Sequence, residues 1–404
     1  MFGSKLLFFF ISLTIIGCSE NKSLEVQNDK SSDANNKQVH VIDGDPSYNI
    51  EFIKDLSIGD TEEVFFRSIG EFAIDEKDRI YIADTNHIKV FDQNGNYITS
   101  LGRRGRGPGE FMNFGSLSPK VSYNKLFAYD EIEQRINVYN LELLEPEYSI
   151  PINPGNWNTK ENLARTKFER YFIVGDSLII AGFTEIRSRF DKSENIFRYY
   201  FMNQTGEIIS DELFSHVDIG LYDGNGVVGP ISLRGYIPLP SDRSSIMDVD
   251  NEGNIYWAWT EDVSVNVYDS TGRKFRIVTY PKQNVALDVE QMLAVYDYNL
   301  QLYRKAKKKQ TPDTMPAMDY FFVDDEERLW ISIITESEDT YKWVVISKDG
   351  DYLASFDWEG IPLERHYKPR EIKMVKNNYL YTSEMNDDTN LPEVVKYKIE
   401  LTER

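Results

Sequence analysis

The chain has 404 residues, 41% hydrophobic and 27% charged, with 25 tyrosines and 23 phenylalanines, enough to bury a large core as one all-β unit or as two or three ordinary domains. A formal net charge of -21 leaves no basic face for nucleic-acid phosphates, which excludes that class of partner. The single cysteine excludes a disulfide and a cysteine nucleophile.

In chain order, the first element has the layout of a signal peptide. Met1 to Lys5 carries positive charge, Leu6 to Ile16 is an apolar run, and a polar segment follows Cys18, so residues 1–17 are expected to be removed on export. The apolar run is too short for a bilayer core, which takes about twenty residues. The sequence "IIGC" resembles the lipobox of bacterial lipoproteins, which implies lipidation of Cys18 and contact with the membrane through the lipid anchor only. Residues 18–47 are rich in Ser, Asn, Asp, Lys and Gln and read as a disordered tether, with the folded region over 48–404.

"YNIEFIKDLSI", Tyr48 to Ile58, has strand character. From Phe72 the chain reads "FAIDEKDRIYIADTNHIKVFDQNGNYITSLG", four short alternating segments separated by polar turns, hence a four-stranded meander. The next stretch, "LGRRGRGPGEF" from Leu101 to Phe111, raises the question of a phosphate cradle. Gly102 and Gly107 have the first P-loop spacing, but Pro108 and Gly109 stand where Lys and Ser or Thr belong. Helix through this stretch would cost about 1 kcal/mol per glycine and about 3 for the proline. It is read as a sharply turning connector, with an anion site as the alternative.

The meander recurs. Its second-strand cores are Ile80-Tyr81, Leu126-Phe127, Leu178-Ile179, Ile255-Tyr256, Leu329-Trp330 and Leu380-Tyr381, at steps of 46, 52, 77, 74 and 51 residues. The turns "DQNG", "NQTG", "DSTG" and "SKDG" recur between third and fourth strands. Six units of this period predict an all-β, six-bladed β-propeller. The stretch "RIYIADTNHIKVFDQNGNYITSLGRRGRGPGEF" resembles the NHL repeat, except that His87 replaces the arginine usual before the third strand. With its lipobox, the chain resembles the six-bladed β-propeller lipoproteins of Bacteroidetes-type bacteria. That resemblance implies the fold and a lipid-anchored place in the cell envelope, at the outer membrane. The sixth unit has only three strands, so Tyr48 to Ile58 is expected to close the ring against the last segment.

The chemistry is sparse. There are four histidines, with His40 in the tether and His87, His216 and His366 in predicted loops. A zinc site of the last three is conceivable, since an NHL-like amidating lyase uses histidines, but no paired spacing supports it. "DVDNEG", Asp248 to Gly253, begins like an EF-hand loop, but Trp259 stands where its glutamate is required. It matches the turns "DEKD" and "DDEE" of other units. No G-x-S-x-G occurs, which weakens a serine hydrolase reading. Calcium-dependent lactonases of six-bladed shape use scattered acids and asparagines, so calcium or zinc remains conceivable, although no cofactor is required.

"LDVEQMLAVYDYNLQLYRKAKKK" places Val289, Met292, Leu293, Tyr296, Leu300 and Tyr303 at helical spacing, which predicts one inserted amphipathic helix packed on the propeller or, alternatively, on a membrane. Loop lengths divide the faces. First-to-second and third-to-fourth strand turns are short, whereas long connections cover 102–117, 151–169, 214–243, 280–317 and 358–369 between units, and 183–195, 335–341 and 385–392 within them. One face is bare and the other decorated, and long loops on a rigid scaffold are where binding usually sits. Arg103, Arg104 and Arg106 are expected on the decorated face near His87. Glu71, Lys120, Arg170, Ser244, Asp319 and Arg370 are expected around the channel mouth, where the inner strands begin. Such a mixed-charge rim suits an anionic glycan or peptide carboxylate gripped by arginine. The sequence therefore predicts a monomeric envelope protein that binds a glycan, peptide or partner protein, with a metal-dependent lactonase or lyase at the channel mouth as the rival.

Overall fold

The turns that cut the chain into strands supply their own hydrogen-bond acceptors. Asp75 Oδ1 accepts the backbone N–H groups of Lys77 and Arg79, both at 2.9 Å, while Oδ2 accepts from the Arg79 guanidinium at 2.7 Å and the Tyr81 hydroxyl at 2.9 Å. Asp250 repeats this with Asn254 and Tyr256, and Asp324 with Arg328 and Trp330. The acids of "DEKD", "DVDNEG" and "DDEE" thus close turns by side-chain to backbone bonding. Asp92, Asn203, Asp269 and Ser347 do the same between third and fourth strands. Each of those turns passes through a glycine at positive φ, for example Gly95 at 82° and Gly350 at 95°.

The computed structural model describes residues 38–59, 64–66, 69–112, 119–152, 157, 163, 166–175, 178–185, 196–217, 239–308, 311–364 and 370–404. The expected signal peptide, Cys18, the tether up to residue 37 and His366 lie outside them. Two strands come first, β1 (Gln38–Val41) and β2 (Tyr48–Ile58). Blade one is β3 (Phe72–Ile74), β4 (Ile80–Asp84), β5 (His87–Phe91) and β6 (Tyr97–Leu101). Blade two is β7 (Lys120–Ser122), β8 (Lys125–Asp130), β9 (Arg135–Asn140) and β10 (Glu145–Pro151). Blade three is β11 (Thr166–Val174), β12 (Leu178–Glu185), β13 (Ile196–Met202) and β14 (Phe214–Val217). Blade four is β15 (Ser245–Val249), β16 (Ile255–Trp259), β17 (Ser264–Tyr268) and β18 (Lys274–Thr279). Helices α1 (Val289–Ala294) and α2 (Leu300–Ala306) precede blade five, which is β19 (Met318–Val323), β20 (Leu329–Ile334), β21 (Thr340–Ile346) and β22 (Tyr352–Glu359). Blade six takes β23 (Arg370–Lys376), β24 (Tyr379–Met385) and β25 (Pro392–Glu403) from the end of the chain.

The protein is a six-bladed β-propeller whose core lies between blades. Each of the six blade interfaces has its own buried cluster, such as Tyr139 and Phe111 between blades one and two, or Phe321 and Val265 between four and five. Burying each such side chain contributes about 1.5–3 kcal/mol, so the ring is held by its interfaces.

The ring closes as the sequence predicts. β2 is the fourth strand of blade six, antiparallel to β25 from Tyr48 opposite Glu403 to Ile58 opposite Val394. The expected tether boundary at residue 47 is too late, however. β1 adds a fifth, parallel strand to blade four, Gln38 opposite Arg276 through Val41 opposite Thr279. His40 therefore lies on a strand, not in a tether. Ile42 is 3% exposed in the core between blades four and five, and Ser47 N–H donates to Tyr352 O at 3.0 Å. Composition averaged over a polar segment hid the short "QVHVI" alternation, and β18 offers it an open edge.

The single predicted helix is two. Asp288 caps α1 by accepting from Glu290 and Gln291 N–H, and Asn299 caps α2 by accepting from Gln301 and Leu302 N–H. An Asn with a free side-chain acceptor competes well with a continuing helix, and the preceding "VYDY" is poor helix former. Met292, Leu293, Tyr296 and Ala306 pack with Leu239 and Leu363, so the insertion does pack on the propeller.

Candidate functional site

The site is built where the inner strands line the channel. β3 faces β7, β7 faces β11, and β15 faces β19. Bulges fall at Glu169 in β11, Asp319 in β19 and Lys373 in β23, each shifting register by one residue. A bulge re-aims the side chains around it, which changes which residues the channel receives.

Lys373 Nζ lies 3.2 Å from Glu71 Oε1 and 2.9 Å from Glu371 Oε2, joining blades six and one. Burial opposes its charge, but the two carboxylates outweigh that and hold it above the ordinary lysine range. Across the channel, burial pushes the Asp248 carboxyl above its usual range, while N–H groups of Val323 (2.8 Å) and Val249 (2.9 Å) and the charge of Lys120 work the other way. Tyr320, a residue 39% exposed, lies within the field of both groups. Burial raises its hydroxyl pKa, and the charges of Asp248, Glu71 and Glu371 add to the shift.

Of the residues expected at the mouth, Glu71, Lys120 and Arg170 share this channel field. Arg170 sits in the middle of β11 and not at its start, because the bulge at Glu169 breaks the alternation that located the strand. Its guanidinium lies 4.6 Å from the Phe197 ring centroid. Arg370 opens β23 as expected and pairs with three acids, Glu359 at 3.4 Å, Glu384 at 3.6 Å and Asp387 at 3.6 Å. Ser244 is pinned to the Thr260 turn, its N–H donating to Thr260 Oγ1 at 2.9 Å, and Asp319 is buried at 8% exposure. Asp248, Tyr320, Glu371 and Lys373 were missed as channel residues; Tyr320, Glu371 and Lys373 lie at or beside bulges, whereas Asp248 lies in the unbulged β15 and was read only as part of a turn.

The arginines of the loop from Leu101 to Phe111 are engaged locally. Arg103 Nε donates to Glu110 Oε1 at 2.6 Å and Arg106 pairs with Glu133 at 3.2 Å, while Arg104 is exposed on the bridge to Phe111. The loop carbonyls accept from blade two, Gly107 O and Glu110 O from Arg135 and Gly109 O from Tyr139. It is the connector that the spacing test favoured.

His87 and His216 do not meet the loop expectation. His87 opens β5, with Nδ1 buried and unpartnered. His216 lies in β14 at 2% exposure, where Nδ1–H donates to Val217 O at 3.1 Å and Nε2 accepts from the Tyr199 hydroxyl at 3.0 Å. Burial lowers its pKa to about 3, so it is neutral, in a stack of Phe197, Tyr199 and Phe214. Among the described residues, no three His, Cys, Asp or Glu side chains come together as a metal site.

The decorated face also carries a groove of about 630 Å³ between residues 282–286 and Thr335, Glu336 and Ser337. Burial lowers the pKa of Lys282 there, with Glu336 opposing.

A propeller with a charged channel and one loop-bearing face is thus the class defined by this geometry. The model of the DUF5128 family, described as a 6-bladed beta-propeller, matches residues 30–172. No curated protein matches the chain. Among solved structures, a member of the DUF4221 family from Bacteroides vulgatus is similar at 14% identity with a TM-score of 0.52, over 88% of this chain and 99% of that one. A Bacteroides fragilis protein described as exported is similar at 11% identity and a TM-score of 0.48, over 91% and 99%. Regucalcin, a calcium-binding protein of Agrobacterium tumefaciens, is similar at 10% identity and a TM-score of 0.39, over 91% and 97%. At these identities the likeness concerns the fold alone.

Proposed function

We propose that the protein is a lipid-anchored binding protein of the bacterial cell envelope that engages a glycan, a peptide or a partner protein through its decorated face. The leader and "IIGC" support export and acylation at Cys18, at the outer membrane, with the propeller as the working part. The observation that carries the binding reading is the contrast between faces. On the bare face, turn after turn is short and closed by its own Asp, Asn or Ser. In the channel, Lys120, Asp248, Tyr320, Glu71 and Lys373 act on one another, and the described connections 280–286 and 335–337 of the other face enclose a polar groove. Charges of both signs suit a polar ligand with hydroxyl, amine and carboxylate groups.

The test is a glycan and peptide array probed with wild type, with Lys120→Ala/Tyr320→Ala and with Lys282→Ala/Glu336→Ala. Loss of a hit in one variant, with melting unchanged, assigns the site. Identical arrays for all three proteins would overturn the reading. Stoichiometric calcium or zinc in the purified protein would favour a lactonase or lyase at the channel mouth instead.

A further inference from the structure

The insertion between blades four and five uses only one of its faces to pack. Met292, Leu293, Tyr296 and Ala306 are buried, while Tyr298 is 79% exposed, Leu300 61% and Val289 41%. The same turn and helix carry Arg304, Lys305, Lys307 and Lys308. None of these four forms an ion pair among the described residues, and Lys307 is placed only over the Tyr303 ring, at 5.9 Å from its centroid. Elsewhere cations of this acidic chain find acids, as Lys77 does with Glu142, Arg243 with Glu261 and Lys398 with Glu400. The insertion's own acids are Asp288, Glu290, Asp297 and Asp313, and Asp288 is occupied in capping α1.

We propose that Tyr298, Leu300 and the cationic end of α2 form a docking surface for an anionic lipid bilayer. Three features select that partner. Exposed aromatic and aliphatic side chains beside lysines and arginines match the interfacial layer, where rings and alkyl groups enter the acyl boundary and ammonium groups meet headgroup phosphates. The cations are unneutralised in a chain with 66 acids against 45 bases, so an anionic surface repels most of the molecule and attracts this patch. The patch rides on residues 280–317, which connect two blades on the decorated face, so docking would turn that face toward the bilayer. No described helix is long and apolar enough to cross a membrane, so the contact is peripheral. This surface stands independently of the acyl anchor.

The experiment uses residues 36–404, which form one compact unit holding every described strand and lack the apolar leader. Sedimentation with phosphatidylcholine vesicles, with and without phosphatidylglycerol, reads binding at low and at physiological salt. Wild type should bind only the phosphatidylglycerol vesicles and release with salt. Replacing Arg304, Lys305, Lys307 and Lys308 by Gln should weaken binding about fivefold per neutralised charge. Tyr298→Ser/Leu300→Ser should weaken it several-fold while leaving the salt dependence. Both variants change exposed positions, apart from the half-buried Lys305, and should melt as wild type does. Equal binding by wild type and the four-Gln variant overturns the proposal. So does a silent Tyr298→Ser/Leu300→Ser variant whose binding is abolished by heparin, which would identify a soluble polyanion as the partner.

Discussion

Arg103 Nε lies 2.6 Å from Glu110 Oε1, and the other oxygen of that carboxylate accepts the Gly107 N–H at 2.7 Å. The loop "LGRRGRGPGEF" therefore contains its own anion. It reads like a phosphate cradle because the requirements coincide: glycines at positive φ, an inward N–H and a nearby guanidinium. Gly102 at φ 75° and Gly109 at 68° supply the turn, and a Cβ on Gly102 would stand 2.5 Å from the Phe111 ring. Glu110 meets the donors that a ligand phosphate would need.

Glu110→Gln should accordingly loosen this connection. The Gly107 N–H and then the Arg103 guanidinium hold the Glu110 carboxyl below its usual range, so its contribution is present above the unfolded carboxylate value and is lost as pH falls through the folded one. Wild type should melt higher than Glu110→Gln at neutral pH, and the gap should close in acid. Thermal melts across that range check it, and a gap that is constant with pH would show that the charge is not what matters.

The fold was legible because blades repeat. Ile80-Tyr81 and its five counterparts fix six second strands, and Asp75, Asp250 and Asp324 mark the turns before blades one, four and five reach theirs. The channel was less legible. Bulges at Glu169, Asp319 and Lys373 break the two-residue period, so counting from strand starts reached Glu71 and Lys120 but passed over Lys373, Glu371 and Tyr320. β1 escaped because four residues pairing with a distant edge leave no local signature beyond "QVHV".

Ring closure has a graded test. Removing residues 1–37 should leave melting unchanged, since every described strand remains. Removing residues 1–47 deletes β1 and the buried Ile42, and Ile42→Ala alone should cost about 2–4 kcal/mol in denaturant unfolding. Removing residues 1–58 deletes β2 and exposes the β25 edge, and the cooperative transition should be lost. Equal midpoints for the three truncations would rule out closure by β2.

His216 gives a pH signature. Its folded pKa of about 3 is below the unfolded value near 6.5, so the unfolded chain takes up the proton first and stability falls as pH drops between them. The loss from this residue should approach about 1.4 kcal/mol per pH unit well below 6.5. His216→Gln lacks that proton and should be less stable than wild type at pH near 7, with the difference shrinking in mild acid. Parallel slopes for the two proteins in denaturant titrations would show that His216 ionises freely.

The channel itself can be tested through Lys373. Its side chain is 19% exposed and its ammonium bridges Glu71 and Glu371, so Lys373→Met keeps most of the apolar stem but leaves the two carboxylates without their shared cation. Deeply buried pairs cost about 3–5 kcal/mol to break and exposed ones about 1 or less, so a partly wet channel places this loss at about 1–2 kcal/mol. Adding Glu371→Gln to that variant removes the repulsion and should recover part of the loss. The sign of the pH response separates this from simple packing. The folded pKa of Lys373 is raised, so its contribution is present at neutral pH and lost as pH rises through the folded value. A Lys373→Met protein with wild-type unfolding free energy at neutral pH would mean that water, and not Lys373, neutralises the channel acids.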